Sequence, residues 1–278
     1  MPDFGIFRGF SNKAFSDKLF AGQTPINLGS IDSDVLGFFT RVANAGGILS
    51  AIEKQAIIQL VYDLKSYGIW DSMKAIYPMI GASAAACSQN LISSSYTGTF
   101  SSGWTFASTG VTPNGTSAFM NTFFNPKLYA SSKNSFHFSV YIRSNVNATT
   151  IDIGAEQGSY GTFLFPSLSS QTYARLGDSY ATLTSILDTK AFFQVIRLST
   201  TNTKYFLNNV KKADSIVSLT DYPNYNIYLG ALNSNGSTTL YSNRQNAFAS
   251  IGDGLTNTQA SNFYTAVQAM QTTLSRQV

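Results

Sequence analysis

The sequence holds 278 residues, of which 44% are hydrophobic and only 12% charged, with 18 basic against 14 acidic side chains. A chain of this length buries about 75% of the surface it exposes when unfolded, so it needs no covalent staples and has room for one large domain or two small ones. A single cysteine, Cys87, excludes an intrachain disulfide and a thiolate metal cluster, and scattered basic residues, with Lys211-Lys212 the one adjacent pair, speak against a nucleic-acid partner.

No run approaches the ~20 apolar residues of a membrane span. The N-terminus lacks the basic-then-apolar pattern of a secretory leader, so the expectation is synthesis in a cytosol and solubility until assembly. The polar surface must come from Ser, Thr, Asn and Gln. That composition is common in extracellular and virion proteins that pack against copies of themselves or against sugars.

Residues 1–30 mix aromatic, Gly and polar residues. Phe4, Phe7, Phe10, Phe15 and Phe20 follow no clean period of 2 or 3.6. Such an arm cannot bury its phenylalanines alone, and exposed they are an aggregation hazard. The expectation is an anchor that docks on another chain; the plainer alternative is an arm wrapped on its own domain.

Residues 31–80 read as helical. "DSDVLGFFTRVANAGG" offers Ser33 or Asp34 as N-cap. "SAIEKQAIIQLVYDLKSYG" opens with Ser50 and has Glu53 three residues later, a capping box. Ile57, Leu60, Val61 and Leu64 then make a stripe at helical spacing, and Gly68 suits the helix stop. "IWDSMKAIYP" is expected to add a short third helix ended at Pro78, giving a helical hairpin with Trp70 and Tyr77 as packing anchors. "GASAAACSQN", residues 81–90, reads as a linker.

From residue 91 the pattern changes to short runs of Phe, Tyr, Val, Ile and Thr at period 2. They include "SFHFSVYIR", "TTIDIG", "TFLFP", "FFQVIRLS", "KYFLN" and "NIYLGAL". Turn signals at Asn114-Gly115, Asn208-Asn209 and Asn235-Gly236 separate them. Many short strands with no helices between them predict a β-sandwich or barrel. At the end, Thr256 and Gln259 form a second capping box. Ala260, Phe263, Val267, Met270 and Leu274 then recur at steps of 3 and 4, which predicts an amphipathic helix on the end or flank of the sandwich.

The closing section, "TKYFLNNVKKAD" and then "YNIYLGALNSNGSTTLYSNRQNAFASIGDGLTNTQASNFYTAVQAM", resembles that of concanavalin A-like, laminin-G-like lectin domains. Asn208-Asn209 stands where that family often has Asn-Gly, and Gln259 where Glu is common. The ordered set Leu64–Pro78, Gly103–Thr105, Pro113–Thr116 and Ser242–Gly252 is similar to virion proteins of tailed bacteriophages that carry this domain. The resemblance covers roughly residues 50–278. It implies a mainly β, concanavalin A-like jelly-roll sandwich over 91–278, flanked by an N-terminal helical hairpin and a C-terminal amphipathic helix. It also implies a virion location, other virion proteins as partners and, by family analogy, a homo-oligomer such as a trimer. Some laminin-G-like domains bind calcium, but no ligand set carries over to these residues.

Chemistry is sparse. Glycoside hydrolysis uses a carboxylate pair across the scissile bond, and the nearest approach to one is Asp152 with Glu156 in "IDIGAEQG". Glycines interrupt that run, which favours a solvated strand end and turn. His137, between Phe136 and Phe138, has no companion that spacing identifies and reads as structural. Cys87 reads as a small filler. There is no phosphate loop, and Asp253 stands alone between two glycines. No catalytic, metal or cofactor residue is expected. Stacking rings and amides for a sugar are offered by Tyr222, Tyr225, Tyr241 and Asn243, with ordinary loop packing as the plainer reading. The expectation is therefore a non-enzymatic phage virion protein, a decoration, fibre or tail-associated adhesin held by its arm. The alternative is a carbohydrate-binding module for host surface glycans, and a third, weaker one is a degraded glycan hydrolase.

Overall fold

The computed structural model describes residues 31–168, 171–183, 188–216 and 219–278. The expected anchor residues Phe4, Phe7, Phe10, Phe15 and Phe20 lie outside them. Helix α1 (Ser33–Asn44) starts one residue earlier than expected: Asp32 is the cap, accepting the Asp34 N–H at 2.9 Å. Lys65 bridges Asp32 and Asp34 at 2.7 and 2.6 Å, tying the start of α1 to the end of α2 (Ala51–Ser66). The Ser50/Glu53 capping box opens α2 as the sequence predicts.

The third expected helix is not formed. A 3-10 turn over Trp70–Ser72 leads into strand β1 (Met73–Tyr77), antiparallel to the last strand of the chain. A helix of only nine residues closed by Pro78 has too few hydrogen bonds to offset its nucleation cost, whereas a sheet edge supplies a full ladder. Ala75 and Tyr77 then face the inter-sheet core, while Met73 and Ile76 face the helices. Lys74 falls at an irregularity in the pairing and forms an ion pair with Asp253 at 3.1 Å.

Residues 81–90, expected to be a linker, are packed. Helix α3 (Ala84–Cys87) lies against the loop after α1: a side chain at Gly47 would meet the Ala86 Cβ at 3.0 Å. Fully buried Asn90 accepts the Ile76 N–H and donates to the carbonyls of Lys74 and Ser95 at 2.9–3.0 Å. Small residues let this segment approach closely enough to brace β1.

The strands follow in order: β2 (Thr99–Phe100), β3 (Trp104–Ala107), β4 (Gly110–Pro113) and β5 (Met120–Asn121), then helix α4 (Pro126–Tyr129). After it come β6 (Ser135–Ile142), β7 (Ile153–Gln157), β8 (Tyr160–Leu168), β9 (Gln171–Gly177), β10 (Ser179–Leu183), β11 (Ala191–Leu198), β12 (Thr203–Leu207) and β13 (Val210–Ser215). The chain ends with β14 (Tyr228–Leu229), β15 (Leu232–Ser234), β16 (Ser237–Thr239), β17 (Asn246–Gly252) and helix α5 (Asn257–Thr273). The run "NIYLGAL" is split between β14 and β15, because Gly230 turns the chain at φ +77°. One sheet runs β13-β12-β11-β6-β17-β4-β3, with β1 also on β17. The other runs β10-β9-β8-β7-β14-β5-β2, with β15 on β7 and β16 on β15. The molecule is a mainly β sandwich with helices at both ends of the sequence.

Period-2 alternation sorts the core. Phe136, Phe138, Val140, Phe193 and Val195 point between the sheets, where they meet Ile153, Leu164, Ala174, Leu176 and Leu229. Their neighbours Tyr141, Phe192 and Phe248 point the other way, under α1, α2 and α5. Thus α5 packs on the outer face of the eight-stranded sheet, with its Thr256/Gln259 capping box formed and Phe263 against Phe192 and Phe248 at 5.4 and 5.9 Å between centroids. Just beyond α5, fully buried Arg276 donates to the carbonyls of Met79, Pro78 and Ala247 at 2.6–2.8 Å. This clamps the chain end to the end of β1. With neutral acceptors only, burial pushes its pKa down to about 10.

Candidate functional site

The residues weighed for chemistry are committed to structure, and Asp152, expected at a solvated strand end, is instead fully buried because Arg244 pairs with it. Asp152 and Arg244 form an ion pair at 3.0 Å with both side chains fully buried. Ser242 also donates to Asp152 at 2.9 Å, and Arg244 fills its other positions with the carbonyls of Val146 and Ala148 and the Thr150 hydroxyl. Burial pushes the Asp152 carboxyl up, and the Arg244 guanidinium pulls the other way. Glu156 is held separately, accepting from Ser234 Oγ at 3.1 Å.

His137 is fully buried. Its Nδ1 lies 2.6 Å from the Asp253 carbonyl, so Nδ1 donates, and Nε2, 3.2 Å from Ser250 Oγ, accepts. Burial holds its pKa down at about 4. The Cys87 thiol donates to the Ile80 carbonyl, and burial pushes its pKa up to about 12. Among the described residues no group of three or more His, Cys, Asp or Glu could hold a metal ion, and no helix is long and apolar enough to cross a membrane.

The four sugar-binding candidates do not come together. Tyr222 is 2% exposed, tilted against Phe136, with its hydroxyl donating to the Lys133 carbonyl at 3.1 Å. It is a core ring and not the surface ring that the loop-like "DYPNYN" suggests. Tyr225 is half-buried at the Gln157 end of β7, beside Gly236. Tyr241 pairs with Ile151 at the opposite end of β7, and exposed Asn243 sits beside Gly115. Six residues of strand separate those ends, about 20 Å at ~3.3 Å per residue.

A different set does converge, on the outer face of the nine-stranded sheet. Thr99 pairs with Asn121, Asn121 with Tyr228, and Tyr228 with Gly154. The partners that alternate with these, Met120 and Leu229, are in the inter-sheet core, so Thr99, Asn121 and Tyr228 point outward. Phe119 stacks on Tyr228 with centroids 4.6 Å apart and planes at 20°. Its backbone is fixed by exchange with Ser101: Ser101 N–H donates to the Phe119 carbonyl and Phe119 N–H to Ser101 Oγ, both at 2.9 Å.

Beyond β5 further rings are exposed, Phe123 beside Asn121 and Tyr129 at the edge of the core ring Phe124. Phe123 is 45% exposed with φ +58°, and its N–H donates to Asn121 Oδ1 at 2.9 Å. Leu128 and Tyr129, on α4, are 62% and 46% exposed. Tyr129 leans on Tyr96 at 5.4 Å, and Tyr96 itself has φ +57°. Phe123 and Tyr96 are thus both non-glycine aromatics held in the left-handed region, which costs energy that the surroundings must offset, and such strain clusters at binding sites. Sequence reasoning passed over this set because its members come from four separate stretches. The Phe-rich "AFMNTFFNP" is the local signal that marks its centre.

No family model matches the sequence, and no curated protein matches it. Among solved structures the chain is similar to a Trypanosoma rangeli sialidase mutant displaying trans-sialidase activity, with 11% identity, 78% of this chain and 39% of that one covered, and a TM-score of 0.51. It is also similar to domain 4 of an extracellular GH43 arabinanase from Geobacillus stearothermophilus, solved with arabinotriose (15% identity, 69% and 98% covered, TM-score 0.49). A third similarity is to the binding domain of botulinum neurotoxin serotype D (13% identity, 71% and 52% covered, TM-score 0.47). The chain spans about two-fifths of the sialidase and half of the toxin domain. At these identities the likeness is one of fold alone, a jelly-roll-like β-sandwich.

Proposed function

We propose that this chain is a non-enzymatic structural protein of a tailed-phage virion, a decoration, fibre or tail-associated adhesin, that displays a carbohydrate-binding sandwich. The observation that carries the binding half is the outward set Phe119, Asn121, Phe123 and Tyr228. Flat rings beside an amide and hydroxyls, held on paired strands, supply the apolar platform and the few placed polar groups that a sugar needs. The non-enzymatic half is supported by Asp152: a carboxylate sealed in an ion pair with Arg244 is not available to a solvent-borne glycosidic bond. The virion half rests on the ordered motifs between Leu64 and Gly252, and gives the arm its role as anchor. A carbohydrate-binding module whose main task is host-glycan recognition is the second reading, favoured by the same face.

Glycan-array screening of the purified chain, followed by calorimetry on wild type and Tyr228→Ala, tests the binding half. Binding that Tyr228→Ala abolishes is expected; binding unaffected by it, or no glycan bound at all, overturns the assignment of this face. Proteomics of intact virions tests the other half. Abundance in the particle, lost on deletion of residues 1–30, is expected; absence from particles leaves the module reading. Sugar release that Glu156→Gln removes would show an enzyme instead.

A further inference from the structure

The helical layer contains an open apolar groove of about 440 Å³. Its walls are Leu36, Phe39 and Ala43 of α1, Ile48 and Leu49 of the connection, and Lys54 of α2. The rim is unusual. Ile48 walls the groove and yet is 82% exposed. A lone exposed apolar side chain is ordinary, but one that walls an apolar groove marks a surface to be covered.

We infer that this groove receives Phe15 and Phe20 from the N-terminal arm of the same chain. The arm enters the described structure at Ile31, which packs on the helical core directly before α1, and α1 is itself a wall of the groove. From Ser33 to Ala43 is about 15 Å along the helix axis at 1.5 Å per residue. Eleven residues of sequence join Phe20 to Ile31, enough to reach up to ~36 Å, more than the gap. A tether able to span the gap makes docking intramolecular, at an effective concentration in the ~millimolar range for a short linker. Intramolecular docking therefore outcompetes the arm of a second copy at ordinary protein concentrations. The groove's volume lies in the range that accommodates aromatic groups, and Phe15 and Phe20 are the arm's two large rings nearest to it in the chain. This docking goes beyond the anchor role: it concerns where the arm rests on its own chain, whatever it engages later.

The test uses the full chain with p-benzoylphenylalanine in place of Ile48, a position whose exposure makes the replacement tolerable. Equal amounts of isotopically heavy and light chains are mixed, irradiated and analysed by mass spectrometry. The expected product has monomer mass and joins position 48 to the segment holding Phe15 and Phe20. The double variant Phe15→Ser, Phe20→Ser should lose that product while keeping a single cooperative unfolding transition, at a Tm somewhat below that of the wild type, since burial of the two rings is lost. A heavy–light dimer joining position 48 to another copy's arm would make a second copy the occupant and overturn the own-chain assignment. Cross-links confined to residues outside 1–30, or a product that survives the double variant, would overturn it as well.

Discussion

The outer face of the eight-stranded sheet lies under three helices and carries His137, Phe192 and Phe248, all fully buried, whereas the outer face of the nine-stranded sheet around β5 and β14 stays open and carries Phe123 and Tyr228. Both faces are built by the same alternation on paired strands, and both present aromatic rings. The difference lies in what covers them. Rings under α5 contribute to stability through contact with Phe263. Rings around Asn121 keep part of their surface in water and remain available to a ligand. A sandwich of this kind can devote one face to holding itself together and leave the other to recognition.

Substitutions sharpen that contrast. On the covered face Phe263→Ala removes a ring packed against Phe192, Phe248 and His137. It should cost about 3–5 kcal/mol in urea unfolding and leave glycan binding unchanged below the transition. Acid should act on the same face. The folded-state pKa of His137 lies near 4, below its ordinary 6.5, so the unfolded chain takes up a proton first. Stability from this group is complete above about pH 6.5 and is lost as pH falls towards 4, by about 3 kcal/mol. Comparing wild type with His137→Gln across that window should show the slope flattened; an unchanged slope would refute the assignment. Thr256→Ala removes the cap of α5 and should cost about 1 kcal/mol, read as a lowered Tm. On the open face Phe123→Ala and Tyr228→Ala should change stability by about 1 kcal/mol or less, yet remove glycan binding. Equal stability losses on both faces would break the comparison.

What could be read from the sequence was local. The capping boxes at Ser50/Glu53 and Thr256/Gln259 need only residues three apart, and both are formed. The opposition of His137 to Phe136 and Phe138 needs only strand period, and it holds. "MKAIY" failed as a helix because what makes it a strand is β17, far down the chain. Tyr222 reads as a loop ring because its neighbours are turn residues, while its burial in the core depends on Phe136. The outward face was hidden for the same reason. Phe119 and Tyr228 become neighbours only through the β5–β14 pairing, and no sequence pattern announces that Phe123 will take a positive φ.

Strand β17 pairs with β6, β1 and β4, and this has a consequence for how the protein is made. Translation is vectorial, so β1, β4 and β6 leave the ribosome long before Asn246 is added. Until then β6 keeps an unsatisfied edge and β1 has no sheet to join. Contacts between such distant positions form late and slow folding, and waiting edges are templates for pairing between chains. A ribosome that stalls or terminates ahead of Asn246 therefore releases a chain with its central sheet open, prone to aggregate instead of merely lacking its last helix.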